Sequence, residues 1–135
     1  MELFKPAWLS KDGEKASKAV EKMKITDQDK LSRAAIESQW YFVRQEAVLK
    51  LTDQITLSKV AVNDPEDYVR ETAVKKLNDQ FTLGYVAKND KCFHIRIMAT
   101  EKLIDQNLAC EMFDEMTRYN LNYKLEEEIK DTAYP

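Results

Sequence analysis

Apolar positions along the chain fall in short clusters at helical spacing, and the clusters recur. Val69, Ala73 and Leu77 stand at i, i+4 and i+8, with Val74 widening the stripe, which gives a helix one apolar face. A second stripe follows at Leu83, Val86 and Ala87. The same columns return every 26 residues: an Asp-Gln pair begins at 27, 53, 79 and 105. Val43, Val69 and Ile95 share a register, each followed by an arginine, Arg44, Arg70 and Arg96. Ala47, Ala73 and Ala99 keep the same step, as do Lys50, Lys76 and Lys102, and Leu51, Leu77 and Leu103. Leu31, Leu57 and Leu83 form another column, and Ala35, Ala61 and Ala87 another. So many columns in one register mark an internal repeat whose units bury their apolar faces against each other.

Each unit reads as a helical hairpin. In the unit from Pro65 to Asn89, Asp64 suits an N-cap and Pro65 the first helical position. Glu66 and Asp67 place negative charge at the positive end of that helix, and Lys75 and Lys76 place positive charge in its last turn. Asp79 is the expected cap of the following helix, and the other Asp-Gln columns repeat that arrangement. The pattern predicts helices over 11–25, 28–37, 40–51, 54–63, 66–77, 80–89, 92–103, 106–118 and 121–132. Helices this short are marginal alone in water, so stability must come from stacking. Layers about 10 Å apart give a rod or shallow arc roughly 40 Å long. Residues 1–135 form one domain, with capping segments over about 1–16 and 118–135. Phe4, Pro6, Trp8 and Leu9 fold over the first layer. Tyr119, Leu121, Tyr123, Leu125 and Ile129 belong to the closing one.

Composition narrows the class further. Two glycines and three prolines in 135 residues are too few for the many tight turns of a sandwich or barrel. A formal net charge of −3 lacks the basic surplus of a general nucleic-acid binder. Two cysteines, Cys92 and Cys110, and one histidine, His94, complete no zinc site and no disulfide framework. No metal and no cofactor are expected. The amino terminus has no apolar signal core, and no apolar run is long enough to span a membrane. The expected address is the cytoplasm, and the expected state a monomer or a weakly self-associating chain.

The block Asn63-Asp64-Pro65-Glu66-Asp67-Tyr68-Val69-Arg70, with Ala73-Val74-Lys75-Lys76-Leu77, resembles the HEAT/armadillo superfamily of helical repeats. Its 26-residue period is similar to short bacterial HEAT-like and leucine-rich-variant repeats. The resemblance covers about residues 17–115. It implies an all-α, right-handed α-solenoid of short helical hairpins and a protein-interaction scaffold. HEAT-like DNA glycosylases use a basic concave face that this composition does not supply. Two cysteines 18 positions apart do not provide the cluster-binding segment of the leucine-rich-variant protein. No residue matches a phycobilin-lyase motif.

Candidate sites follow from the columns. Arg44, Arg70 and Arg96 form a ladder that could bind anions, but its stems fall on the core flank of the second helices. A structural role is therefore favoured, with Asp64 and Asp90 as turn-carboxylate partners. Arg44, whose own unit has Ser38 at that column, is left with Glu37 or Asp64. On the outer face of the second helices lie Phe42, Gln45, Glu46 and Leu49, then Tyr68, Glu71, Thr72 and Lys75, then His94, Ile97, Met98 and Glu101. Phe42, Tyr68 and His94 make a column of rings, and exposed aromatics anchor partners well. Phe42, Glu46, Tyr68, Glu71, Lys75 and His94 are the expected protein-binding residues. Trp40 is expected to pack beneath the Trp8 segment rather than to serve as an exposed anchor. There is no phosphate loop, no GxSxG and no HExxH, and no catalytic residue is assigned. The expected function is a non-enzymatic protein- or peptide-binding scaffold. A HEAT-like nucleic-acid binder or glycosylase-type enzyme is the alternative, and it requires Lys22, Lys24, Lys50, Lys59, Lys75 and Lys76 to share one concave stripe.

Overall fold

The computed structural model describes residues 5–103. Within them the protein is all-helical. A single 3-10 turn (Ala7–Leu9) precedes α1 (Gly13–Glu21), α2 (Gln28–Glu37), α3 (Tyr41–Lys50), α4 (Gln54–Asn63), α5 (Asp67–Lys76), α6 (Gln80–Asn89) and α7 (Phe93–Glu101). The helices expected over 106–118 and 121–132, the closing cap and Cys110 lie outside the described residues. The first helix is shorter than its pattern suggested, 13–21 rather than 11–25. Asp12 caps its start by accepting from the backbone N–H groups of Glu14 and Lys15.

Packing follows the repeat. α2 pairs with α3, α4 with α5, and α6 with α7. Between pairs, α1, α3, α5 and α7 each touch the next in order, and more closely than α2, α4 and α6 do. The stripes meet as one core: Val43, Val69 and Ile95, Leu51, Leu77 and Leu103, Leu31, Leu57 and Leu83, and the alanine columns are all buried. Apart from Trp8, that core is aliphatic.

Each connection is fixed by a repeated polar device. At the start of α4, Asp53 accepts from the N–H groups of Ile55 and Thr56, and from the Thr56 hydroxyl at 2.6 Å. Asp79 does the same for Thr82 at the start of α6. Asp27 breaks the series: its carboxylate accepts from the Lys24 N–H instead, and α2 has no side-chain cap. Within each hairpin the turn is closed by a side chain reaching two residues ahead. Ser38 Oγ accepts from Trp40 N–H, Asp64 from Glu66 and Asp90 from Cys92. Asp64 is therefore not an N-cap, and Pro65 is not the first helical residue. The turn takes up three residues, and α5 begins at Asp67.

The units are joined by three ladders. Arg44 donates through Nε (2.8 Å) and Nη2 (3.2 Å) to the Asp64 carboxylate, and through Nη1 to the Ser38 carbonyl. Arg70 repeats this on the Asp90 carboxylate and the Asp64 carbonyl. The arginine thus bonds its own turn through a carbonyl and the next unit's turn through the carboxylate. Gln28 and Gln54 reach the following unit with both ends of the amide: Gln28 donates to the Lys50 carbonyl and accepts from Thr52 N–H, and Gln54 donates to the Lys76 carbonyl and accepts from Asn78 N–H. Lys50, Lys76 and Lys102 reach backwards. Their ammonium groups donate to carbonyls in the last turns of α1, α3 and α5, where a helix runs out of N–H partners; Val20, Val48 and Val74 among them also accept a backbone N–H. Burial holds the Lys76 and Lys102 ammonium groups below the usual lysine range.

Removing one partner of a buried ion pair strands the other, at a cost of about 3–5 kcal/mol. The Arg70 and Asp90 side chains are 10% and 4% exposed. Asp90→Ala is expected to lose that order of stability in urea unfolding. A joint Arg70→Met, Asp90→Leu change should recover most of it, because neither charge is then stranded. The caps carry a separate pH signature. The Thr56 and Thr82 hydroxyl bonds, ahead of the backbone bonds, hold the Asp53 and Asp79 carboxyls below the ordinary carboxylate range. A carboxyl with a lowered folded-state pKa adds stability that is complete above its unfolded value, about 3.9 for Asp. That stability is lost as pH falls through the folded value. A Thr56→Val, Thr82→Val variant should therefore be less stable than the native chain at neutral pH, and the gap should close on acidification. A gap independent of pH would place the threonine contribution elsewhere.

Candidate functional site

The outer edge of the second-helix layer holds the residues singled out by the ring column, in three different environments. Tyr68, in the first turn of α5, is 62% exposed. Its ring stands free because the flanking Val69 and Arg70 take the core side of the helix. Phe42 is 37% exposed and is partly committed to packing. Its ring lies 5.6 Å from those of Trp40 and Tyr41. A Cβ built on Gly13 would stand 2.8 Å from Phe42 Cζ and 3.3 Å from the Trp40 ring. Gly13 thus supplies the space into which these two rings close. Trp40 is half-buried against the core, and its indole N–H donates to the Ser10 carbonyl at 3.0 Å. It therefore packs on the segment that follows Trp8.

His94 and Lys75 meet at Glu71. Glu71 Oε1 lies 3.2 Å from Lys75 Nζ and 3.6 Å from His94 Nε2. This cluster spans α5 and α7, with Lys75 and His94 exposed and Glu71 half-buried. Glu46 is half-buried and accepts from the Ser17 hydroxyl of α1 at 3.1 Å. Thr72, expected on the outer face, is buried. Its hydroxyl donates to the Tyr68 carbonyl and accepts from Gln45 of α3. The close approach of α3 and α5 converts that nominally outer position into an interface.

Arg96 continues the ladder through the Asp90 carbonyl at 2.6 Å, and its guanidinium lies 5.5 Å from the Phe93 ring centroid. Three of the six lysines required for a shared basic stripe are engaged within the protein. Lys50 and Lys76 are spent on helix carbonyls, and Lys75 faces Glu71. Among the described residues no group of three or more His, Cys, Asp or Glu side chains is placed to hold a metal ion. No helix among them is long and apolar enough to cross a membrane.

Comparison with known proteins finds no matching family model, no matching curated protein and no matching solved structure.

The protein-binding residues expected from the sequence all stand on the second helices, and the grooves of the first-helix layer were not among the candidates. There the looser spacing of α2, α4 and α6 opens two grooves beside the 64–66 and 90–92 turns. The signal was present in two columns, Ile36 with Val62 and Lys59 with Tyr85. These put large side chains on the outer surface of helices that otherwise bury alanine and valine.

Proposed function

We propose that the chain is a right-handed α-solenoid of HEAT/armadillo type acting in the cytoplasm as a non-enzymatic scaffold that binds a protein or peptide on the exposed face of its second helices. The observation that carries this reading is Tyr68, an exposed ring with mixed charge at its side in Glu71, Lys75 and His94. A rigid aromatic beside adaptable charged groups is the make-up of a binding hot spot. The serial packing of α1, α3, α5 and α7 supports the solenoid arrangement. It would also hold Tyr68 in fixed register with Phe42 and His94, so that little ordering cost is met on binding. The engagement of Lys50, Lys75 and Lys76 within the protein speaks against the nucleic-acid alternative, which needs free cations in a stripe.

Tyr68→Ala is the cleanest test, because Phe42 also packs against Gly13 and Trp40. Affinity capture with the native chain and with Tyr68→Ala, both first shown to have the same helical signal, should recover a partner that the variant loses. Loss of a central aromatic anchor costs about 2 kcal/mol or more, roughly thirtyfold in affinity. Equal recovery by both would remove the second-helix face from consideration.

A further inference from the structure

The two grooves of the first-helix layer are one groove drawn twice. The first, about 360 Å³, lies between α2 and α4 and is lined by Ile36, Lys59 and Val60, with Pro65 and the Arg44–Asp64 pair at its end. The second, about 340 Å³, lies between α4 and α6. Every residue lining the first has its partner 26 positions on in the second. Ile36 becomes Val62, Lys59 becomes Tyr85, Val60 becomes Val86 and Pro65 becomes Lys91. The floors are sealed, with Val60 and Val86 buried, while Ile36 at 51%, Val62 at 37% and Tyr85 at 50% exposure form the walls. Each groove is at the small end for a ligand pocket, a size suited to one large side chain.

The charges beside them that take part in no ion pair are lysines. Lys59 is the sole charged residue of α4 and Lys88 the sole one of α6, and Lys91 lines the second groove. The carboxylates that line the grooves, Asp64 and Asp90, are occupied by Arg44 and Arg70, and Lys59 acts at longer range on Asp53 at the start of its own helix. Among the described residues, none of these three lysines lies within ion-pair distance of a carboxylate. Glu66 and Asp67 are exposed beyond Pro65 but line neither groove.

We propose that the two grooves together form a docking site for an acidic segment of another protein, bound in the polyproline II conformation with apolar side chains three positions apart. The two grooves are one repeat apart, and stacked helical layers are separated by on the order of 10 Å. Polyproline II rises about 3.1 Å per residue with three residues per turn, so residues i and i+3 share a face about 9 Å apart. A β-strand alternates its faces and presents i and i+3 on opposite sides. A helix reaches the same separation only between i and i+7. Carboxylates at the intervening or flanking positions meet Lys59, Lys88 and Lys91. This site is separate from the Tyr68 face and stands or falls independently of it.

The probe is a short fluorescein-labelled peptide with two leucines three positions apart, prolines between them, and aspartate and glutamate on either side. Its binding is followed by fluorescence anisotropy. The native chain should bind it saturably, and more weakly as salt is added. Lys59→Glu and Tyr85→Ala, both at exposed positions and both checked for an unchanged helical signal, should each weaken binding about tenfold. Tyr68→Ala should bind as the native chain does. Absence of saturable binding, or equal binding by the groove variants, would overturn the proposal. So would a preference for a proline-free helical peptide with leucines seven positions apart. Concentration-dependent self-association abolished by Tyr85→Ala would assign the grooves to a second copy of the chain and overturn it as well.

Discussion

The rest of the structure depends on one contact, the bidentate bond from the arginine of one unit to the turn aspartate of the next. Short helices with alanine, valine and leucine stripes can slide over one another at little cost, because aliphatic packing has no direction. A guanidinium fork on a carboxylate does have direction. With its third donor on the carbonyl of its own turn, Arg70 fixes the distance between two successive turns and hence the register of the helices that join them. The pair is buried, so its net contribution to stability is small and its contribution to register large. The glutamine and lysine ladders act at the other ends of the helices, where Gln54 bonds the Lys76 carbonyl and the Asn78 N–H, and Lys76 bonds the Val48 and Leu49 carbonyls at the end of α3.

Register has consequences for the two surfaces. Close contact along α1, α3, α5 and α7 draws Thr72, Gln45 and Glu46 into interfaces and leaves Tyr68, Lys75 and His94 outside. Looser contact along α2, α4 and α6 leaves the grooves beside Ile36 and Tyr85. The same arginine pairs that join the units also occupy Asp64 and Asp90 beside the grooves, and leave Lys59, Lys88 and Lys91 without an ion-pair partner there. Architecture and surface chemistry therefore come from the same side chains.

Much of the fold was legible because burial follows a column: Leu57, Ala61, Val69 and Ala73 each sit where the 26-residue period places them. Helix boundaries from α2 to α6 were legible to within a residue for the same reason. What was not legible depends on how one unit sits on the next. Asp64 and Asp90 were expected as the ladder's partners, but stacking decides which arginine takes which: Arg44 takes Asp64 and Arg70 takes Asp90, each twenty residues ahead. Lys76 looked like a last-turn cation suited to its own helix, yet it reaches back to the end of α3. Asp27 shares its column with Asp53 but lacks a threonine three residues on, where Lys30 stands instead, and it turns towards Lys24. At the candidate face, the wheel put Phe42 and Tyr68 in one class, and only the approach of Gly13 separates them. The grooves are a property of the space between helices and have no counterpart in a single-helix pattern.

If register is carried by contacts between neighbouring units, one whole unit can be removed without disturbing the others. Deleting residues 54–79 joins Asp53 to Gln80 and keeps every column in phase, with Arg44 now twenty residues from Asp90. The direct test is urea unfolding of this shortened chain followed by its helical signal. It should unfold in one cooperative transition, with the native helix content per residue and a smaller denaturant slope. A chain of the same length made by deleting 60–85 leaves Lys59 followed by Val86, again one period, and should behave alike. A broad transition or an unfolded chain from either deletion would contradict the claim that neighbouring units alone hold the structure in register.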